Sequence, residues 1–445
     1  MKKLLSLIII LLSFELSAIA SSIDKTIFQS GINRGAISVS VKDISTGKTV
    51  YKLNDKQPKM PASTLKLVTL NASADTLGED YEFITGLYKS TDNELYIKLS
   101  GDPFLSSYDL NKLFDTAKNK NILEPKTVYI DDYIFDDVEW GEGWQWDDDL
   151  NPLMPKFSSY NIDKNLLNVV VAPTFNGAPA NIYTTKFYPL TIMNLVTTGD
   201  RNSLTIKRNN NISPDIINIQ GIIKKTSTEQ IPVNNPKRYF KIRTEDAIRN
   251  AKIDYYGKFP QKKLPTKNVY LVDEIRHPFS DAVTQILKNS NNFVAESVFK
   301  AAGAKYVNNT GSLKHSQQML NAYFEKMGIY SGDIKIVDGS GVSKNNIVTA
   351  DFMSEFLVKL SGNENFINSL PTAGEGTLTS RMLYFKDNLR AKTGTLSDIS
   401  AIAGYITSRT GKKYAFDIMI NDPKSKSSDK KSLEEYIIRD IYTNF

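Results

Sequence analysis

Residues 60–66 read Met60-Pro61-Ala62-Ser63-Thr64-Leu65-Lys66 and open the stretch that decides the fold. Proline suits the first turn of a helix, and a glycine such as Gly78 commonly ends one. Between them, apolar residues recur at helical spacing, at Leu65, Val68, Ala72 and Leu77. The pattern predicts a helix from Met60 to Gly78. Ser63 then stands at its N-terminus, and Lys66 lies one turn further on the same face.

Two further motifs follow this helix in a fixed order, Ser343-Lys344-Asn345 and Lys392-Thr393-Gly394. With Ser63-Thr64-Leu65-Lys66 they read S-x-x-K, S-x-N and K-T-G, the signature of active-site-serine enzymes that are acylated by penicillin-type substrates. Each motif is weak alone, since a chain of this size contains an S-x-x-K by accident roughly once or more. Their order and local context argue against coincidence.

The first and third motifs supply a nucleophile, a base and a cation. Ser63 attacks only after a base removes its proton, and Lys66 serves as that base if burial or a neighbouring cation such as Lys392 depresses its pKa. Lys392 and Thr393 can bind a substrate carboxylate, and Gly394 lets a peptide backbone approach the strand edge. The backbone N–H groups of Ser63 and Thr395 would form an oxyanion hole.

The second motif is the least specific of the three. Ser343 and Asn345 follow the glycine-rich segment 338–342, where a hydroxyl could relay a proton and an amide could orient a substrate. Asn346 follows directly, and the sequence does not decide which of the two asparagines has that role.

Composition excludes several other chemistries. The 445 residues contain no cysteine, which rules out disulfides and thiolate nucleophiles. The two histidines, His277 and His315, lie in no recognisable catalytic context, so a histidine-centred zinc site or a Ser-His-Asp triad is disfavoured. We therefore predict no metal and no cofactor. The net charge of +6 would suit an anionic envelope polymer, while nucleic acid is disfavoured by the export signal described next.

The N-terminus has the features of a secretory signal peptide covering residues 1–20. Lys2 and Lys3 precede an apolar run, Leu4 to Leu12, and Ala18-Ile19-Ala20 supplies a small-x-small cleavage pattern. The apolar run is shorter than the roughly 20 residues that span a bilayer. The protein is thus predicted to be exported, to the periplasm or, in a bacterium with one membrane, to the cell wall.

Hydrophobic patterning predicts an α+β protein in which residues 21–81 and 275–445 form one domain. Its antiparallel sheet combines a hairpin over 36–54 with strands near 389–395, 399–407 and 414–421, flanked by helices that include 292–302, 350–360 and 433–442. Residues 82–274 show short strand-like runs between Gly, Asn, Asp and Pro turns. They predict a β-rich insertion of two subdomains.

The chain resembles the D-alanyl-D-alanine carboxypeptidase/endopeptidase family of penicillin-binding proteins, of the penicillin-binding-protein-4 type (peptidase family S13). The resemblance covers nearly the whole mature chain. It rests on the segments 60–66, Gly101-Asp102-Pro103, 143–148, Asn289-Ser290-Asn291-Asn292, 338–341 and 390–396, and on the long insertion.

Membership would imply a transpeptidase-like domain carrying two extra domains. It would also imply hydrolysis of D-Ala-D-Ala and of cross-links in peptidoglycan stem peptides, and covalent inhibition by β-lactams. The insert departs from the family at 155–159, where Pro-Lys-Phe-Ser-Ser replaces an Ala-Pro stretch. This departure affects the expected substrate contacts more than the expected catalytic residues.

The resemblance also points to the Trp144–Asp148 segment as a lip over the cleft, where Asp148 could pair with the free amine of a stem-peptide diamino acid. The alternative is an N-cap or a solvated acidic turn. Other functions compatible with the same motifs are a serine β-lactamase, a transpeptidase and a non-catalytic wall-binding relative. Neither the oligomeric state nor the balance of carboxypeptidase and endopeptidase activity follows from the sequence.

Overall fold

The structure is a computed structural model that describes residues 22–445. The predicted signal peptide, residues 1–20, lies outside the described residues. The α-helices are α1 (22–29), α2 (Lys66–Leu77), α3 (Ser107–Asn119), α4 (Pro236–Asn250), α5 (Phe279–Leu287), α6 (Asn292–Val307), α7 (Leu313–Met327), α8 (Ala350–Leu360), α9 (Glu364–Ser369) and α10 (Ser427–Asn444).

The strands in chain order are β1 (Ile37–Asp43), β2 (Thr49–Leu53), β3 (Glu82–Ser90), β4 (Leu95–Lys98), β5 (Val128–Asp131), β6 (Leu166–Ala172), β7 (Asn181–Thr184), β8 (Thr191–Thr198), β9 (Ser203–Arg208), β10 (Ile216–Ile223), β11 (Ser227–Pro232), β12 (Val269–Pro278), β13 (Leu389–Leu396), β14 (Ile399–Thr407) and β15 (Lys413–Asn421).

The chain divides into two compact units. The first holds the described residues up to Gly78 together with Ser280–Phe299 and Ser316–Phe445, and the second holds Glu79–Phe279 and Lys300–His315. Among residues 22–445, none of the helices combines the length and the apolar composition needed to cross a bilayer.

The first unit is built on a five-stranded antiparallel sheet in the order β13-β14-β15-β1-β2. Successive residues of β1 point to opposite faces. Val39 and Val41 share one core with Ile437 and Ile441 of α10, while the Ser40 hydroxyl meets that of Ser354 on α8 at 2.7 Å. The sheet is therefore covered by helices on both faces. Its two edge strands are β13 and β2. The predicted α+β class is confirmed.

The second unit contains a four-stranded sheet, β12-β3-β4-β5, and two three-stranded sheets, β8-β10-β9 and β11-β6-β7. Two helices that the sequence reading missed, α3 and α4, contribute Leu113, Phe114, Tyr239 and Phe240 to its core. The predicted β-rich insertion therefore also contains these two helices. The starts of both helices are capped, α3 by a reciprocal pair between Ser106 and Asp109 and α4 by Asn235 followed by proline.

Candidate active site

Ser63 lies in a short 3₁₀ turn, Ala62–Leu65, that runs directly into α2. Lys66 is the first residue of α2, so its side chain reaches back over the turn, and its Nζ donates to Ser63 Oγ at 2.9 Å. The residue before the serine, Ala62, has a left-handed backbone (φ 48°) that costs a non-glycine residue about 1–2 kcal/mol. The surrounding contacts must hold this turn in place.

The Lys66 ammonium is fully buried and has two further acceptors, Asn292 Oδ1 at 2.7 Å and Ser340 O at 2.6 Å. Burial lowers the pKa of Lys66 to about 7, against the opposing effect of the carboxylates of Asp338 and Glu296. A neutral lysine amine has two N–H donors, which these two oxygens accept. Its lone pair is then left for the Ser63 hydroxyl, which is the geometry of a general base.

Lys392 is a second fully buried lysine, on β13. Its Nζ donates to Ser290 Oγ at 2.9 Å and to the Thr393 carbonyl at 2.7 Å. Burial holds the pKa of Lys392 well below its usual value, and the charge of Lys66 acts in the same direction. The Thr393 hydroxyl donates to Thr377 Oγ1 at 2.7 Å. The two lysines therefore disfavour each other's charge in one site.

The segment between α5 and the start of α6 accepts hydrogen bonds from both lysines. Ser290, with a left-handed backbone (φ 54°), accepts from Lys392, and Asn292 at the start of α6 accepts from Lys66. Ser290-Asn291-Asn292 has the S-x-N spacing. From the sequence, this segment supports the family resemblance, while Ser343-Lys344-Asn345 is predicted as the S-x-N motif. The sequence signal that could have identified this segment is its S-x-N spacing, which falls at the predicted start of a helix.

The predicted S-x-N residues Ser343 and Asn345 lie in a turn whose polar groups hydrogen-bond to one another. Ser343 is buried, its N–H donates to Asp338 Oδ2 at 2.7 Å, and its Oγ accepts from the Asn345 N–H at 3.2 Å. Asn346 is fully buried, and its amide binds the Val337 N–H and Asp338 Oδ1. The side chain of Asn346 is therefore structural, whereas Asn345 is exposed.

Two glycines allow the chain to pass close to the serine turn. A Cβ on Gly394 would lie 2.9 Å from Ser63 N, so β13 runs directly against the turn that carries Ser63. A Cβ on Gly341, which has φ 80°, would lie 2.0 Å from Ala62 O. Thr395 follows Gly394 on this strand, and its N–H remains the predicted partner of the Ser63 N–H in an oxyanion hole.

Asp148 belongs to the second unit, in the 3₁₀ turn Trp146–Asp148, and is partly exposed. The neighbouring Trp146 is 79% exposed, and Asp149 pairs with Arg208 at 2.9 Å. A role for Asp148 in substrate binding stays a prediction.

A helix-covered antiparallel sheet with a serine, a buried lysine one turn away and a second buried lysine on an edge strand defines the active-site-serine acyl-transfer class. The chain belongs to the D-Ala-D-Ala carboxypeptidase 3 (S13) family, whose family model matches residues 19–439. It is therefore a serine-type peptidase, and the resemblance predicted from the motifs is confirmed.

Two relatives show how far the similarity extends. The D-alanyl-D-alanine carboxypeptidase DacB of Haemophilus influenzae is 24% identical over 446 residues, covering 93% of this chain and 91% of the relative. The D-alanyl-D-alanine carboxypeptidase of an Actinomadura species is 26% identical over 423 residues, covering 87% and 78%. The crystal structure of penicillin-binding protein 4 from Haemophilus influenzae superposes with a TM-score of 0.81 at 24% identity, over 92% of this chain and 96% of that one. The predicted penicillin-binding-protein fold is confirmed.

Proposed function

We propose that this serine peptidase hydrolyses the D-Ala-D-Ala ends of peptidoglycan stem peptides through an acyl-enzyme on Ser63. The observation that carries the proposal is the position of Lys66. Its amine is buried, its two N–H groups have acceptors in Asn292 and Ser340, and its remaining contact is Ser63 Oγ.

In the acylation step Lys66 takes the proton of Ser63 while Ser63 Oγ forms a bond to the carbonyl carbon of the penultimate D-Ala. The peptide C–N bond then breaks, and the terminal D-Ala leaves with a proton delivered to its nitrogen. Water attacks the ester in the second step and regenerates Ser63. The N–H groups of Ser63 and Thr395 would stabilise the oxyanion in both steps, and Lys392 with Thr393 and Gly394 would bind the substrate carboxylate and backbone.

We assign the S-x-N role to Ser290 and Asn292 in place of Ser343 and Asn345. Ser290 contacts Lys392 and Asn292 contacts Lys66, which suits a hydroxyl that relays the proton to the leaving amine and an amide that orients the lysine. The turn carrying Ser343 would then act as scaffold, with exposed Asn345 as a further substrate contact.

The proposal extends to substrate, inhibitor and domain roles. Cross-links between D-Ala and a diamino acid present the same scissile bond, so endopeptidase activity would use the same site. A penicillin-binding protein 4 from Haemophilus influenzae has been crystallised with a β-lactam, which supports covalent inhibition by such compounds here. We further propose that residues 21–81 and 275–445 form the catalytic domain, that residues 82–274 act on the substrate side, and that the protein is exported to the periplasm.

A fluorescent penicillin tests the chemistry. We expect stoichiometric labelling of the purified protein, with mass spectrometry placing the adduct on the tryptic peptide that contains Ser63, and no labelling of Ser63→Ala. Labelling of Ser63→Ala at the wild-type rate would overturn the assignment, and an unlabelled wild-type protein would indicate a non-catalytic wall-binding relative.

Product analysis tests the reaction. Incubation with a disaccharide-pentapeptide and its cross-linked dimer should release D-Ala from the first and monomers from the second. Rapid turnover of penicillin without release of D-Ala would indicate a β-lactamase instead, and transfer to an added amine would indicate a transpeptidase.

A further inference from the structure

Behind Lys66 lies a second layer of acidic side chains that the reaction above does not use. Glu296 is buried on α6, one turn after Asn292, so both side chains leave the helix on one face. Its Oε1 accepts from the Gly339 N–H at 3.0 Å and the Ser340 N–H at 2.8 Å, and its Oε2 accepts from the Gly339 N–H at 3.0 Å.

Asp338 holds the other side of the same turn. Its Oδ1 accepts from the Gly341 N–H at 2.8 Å, and its Oδ2 accepts from the Ser343 N–H at 2.7 Å. The peptide unit between Ser340 and Gly341 therefore donates to Asp338 through its N–H and accepts from Lys66 through its C=O at 2.6 Å. One peptide unit links an acidic side chain to the catalytic lysine, and Glu296 fixes the peptide unit before it.

We propose that Glu296 is a positioning residue for acylation: by accepting from the Gly339 and Ser340 N–H groups it holds the turn whose Ser340 carbonyl accepts from Lys66, and together with Asp338 it helps to set the pH at which Lys66 becomes the base. The proposal rests on the function proposed above for Ser63 and Lys66.

The charged groups that face Lys66 come from three elements. They are Glu296 on α6, Asp338 in the turn after α7, and Lys392 on β13. Burial, with the charge of Asp338, raises the pKa of Glu296 to about 8, although the N–H groups of Gly339 and Ser340 act in the opposite direction. An ionised Glu296 favours the charged form of Lys66 and thereby raises the pH at which Lys66 can act as a base.

Two substitutions separate the effect of the Glu296 charge from the effect of its side-chain length. Glu296→Gln keeps an oxygen that can accept from Gly339 and Ser340 but removes the charge. Glu296→Asp keeps the charge but withdraws the carboxylate by one methylene from the turn. The measured quantity is the second-order rate constant for acylation by a fluorescent penicillin across the pH range in which Lys66 titrates, since this profile reports the base in the free enzyme.

For Glu296→Gln we expect the acid limb of the profile to move to lower pH, because the variant removes whatever negative charge Glu296 carries while Lys66 titrates. For Glu296→Asp we expect the limb to stay in place and the maximal rate to fall roughly tenfold to a hundredfold, because the acceptor of Lys66 is displaced.

Glu434→Gln is the matched control. Glu434 is a fully buried glutamate of the same unit that pairs with Arg381 at 2.7 Å. Its replacement should lower the thermal midpoint without moving the profile.

A Glu296→Gln profile that coincides with the wild-type profile would overturn the charge control. If Glu296→Gln does not fold, Glu296→Asp decides, and a wild-type rate in that variant would overturn the positioning role. If penicillin does not label the wild-type protein, the proposed function itself is wrong. If penicillin labels the protein but the pH profile does not change in the Glu296 variants, only the role of Glu296 is wrong.

Discussion

At the scale of single residues, the site depends on two lysines that water does not reach. Burying an ammonium is costly, so the folded protein favours their neutral forms. In the proposed reaction this cost is useful at Lys66, which must be neutral to accept the proton of Ser63. Lys392 adds to it, since the charge of either lysine disfavours that of the other. A substrate carboxylate bound beside Lys392 would favour the charged form of that lysine.

The first prediction concerns Lys392. Replacement by alanine should lower the acylation rate by roughly 10²–10³, the loss typical of one preorganised electrostatic contact. Stopped-flow or gel-based labelling with a fluorescent penicillin measures this rate. Lys430→Ala is the matched control, because Lys430 is also fully buried in the first unit but donates to the Asp422 carbonyl at 2.8 Å. Unchanged acylation kinetics in Lys392→Ala would contradict the assigned role.

Asp148 allows a second prediction, on substrate recognition. If its carboxylate binds the free amine of the stem diamino acid, Asp148→Asn should slow cleavage of a diaminopimelate-containing peptide and leave an acetylated D-Ala-D-Ala peptide nearly unaffected. An exposed ion pair contributes only about 0.2–1 kcal/mol, so a loss of more than roughly fivefold would indicate a shielded pair. Equal losses on both peptides would point to a folding defect, and no loss on either would leave Asp148 a surface residue.

At the scale of elements, the turn that carries Ser63 is approached closely by two other segments. The 3₁₀ turn of Ser63 lies against β13 at Gly394 and against the 338–343 turn at Gly341. Side chains at either glycine would collide with backbone atoms, which cannot move aside as a flexible side chain can. The left-handed Ala62 shows that the fold accepts local strain here.

A third prediction follows for this contact. Gly341→Ala should slow acylation at least roughly tenfold and destabilise the protein, since the added Cβ would lie 2.0 Å from Ala62 O and must push the turns apart. Gly47→Ala is the control. Gly47 also has a positive φ, of 68°, but a Cβ there meets nothing within 4 Å. It should therefore lose only the backbone preference, about 1 kcal/mol, with acylation intact. Equal acylation in both variants would show that the close approach is not needed.

Sequence patterns predicted the elements whose periodicity was undisturbed. The bounds of α8 and β14 match the structure residue for residue, because each has a clear apolar pattern between turn residues. The helices α3 and α4 were missed because they lie among short strand-like runs, although Ser106–Asp109 and Asn235-Pro236 carry ordinary start signals. In the candidate site, the S-x-x-K and K-T-G motifs predicted Ser63, Lys66 and Lys392, and these roles stay predictions. The S-x-N spacing occurs at both 290–292 and 343–345, and only the fold shows that Ser290 contacts Lys392.

At the scale of the whole molecule, the buried charges of the site oppose the stability of the first unit. The pKa of Lys66 falls from 10.5 to about 7 on folding, so the folded state releases a proton that the unfolded chain retains. The contribution of this group to stability is fully present above pH 10.5 and is lost as the pH falls through about 7. At neutral pH the Lys66 group thus contributes less to stability than it does at higher pH, which is the cost of the neutral base that we propose for Ser63.

The last prediction tests this trade between stability and activity. Lys66→Met should abolish acylation and remove the titrating group from the core. The free energy of unfolding of Lys66→Met relative to wild type should then fall as the pH rises from about 7 to about 10.5, by a few kcal/mol, since one pKa unit corresponds to about 1.4 kcal/mol.

Urea unfolding followed by far-ultraviolet circular dichroism at several pH values measures the difference. All three tryptophans, Trp140, Trp144 and Trp146, lie in the second unit, so their fluorescence identifies the transition of that unit separately. Ser63→Ala is the control: it removes the nucleophile but no charge, and its difference from wild type should vary far less with pH. A Lys66→Met difference that stays level across the same range would mean that Lys66 does not change its protonation on folding. Its role as a neutral base prepared by burial would then have to be abandoned.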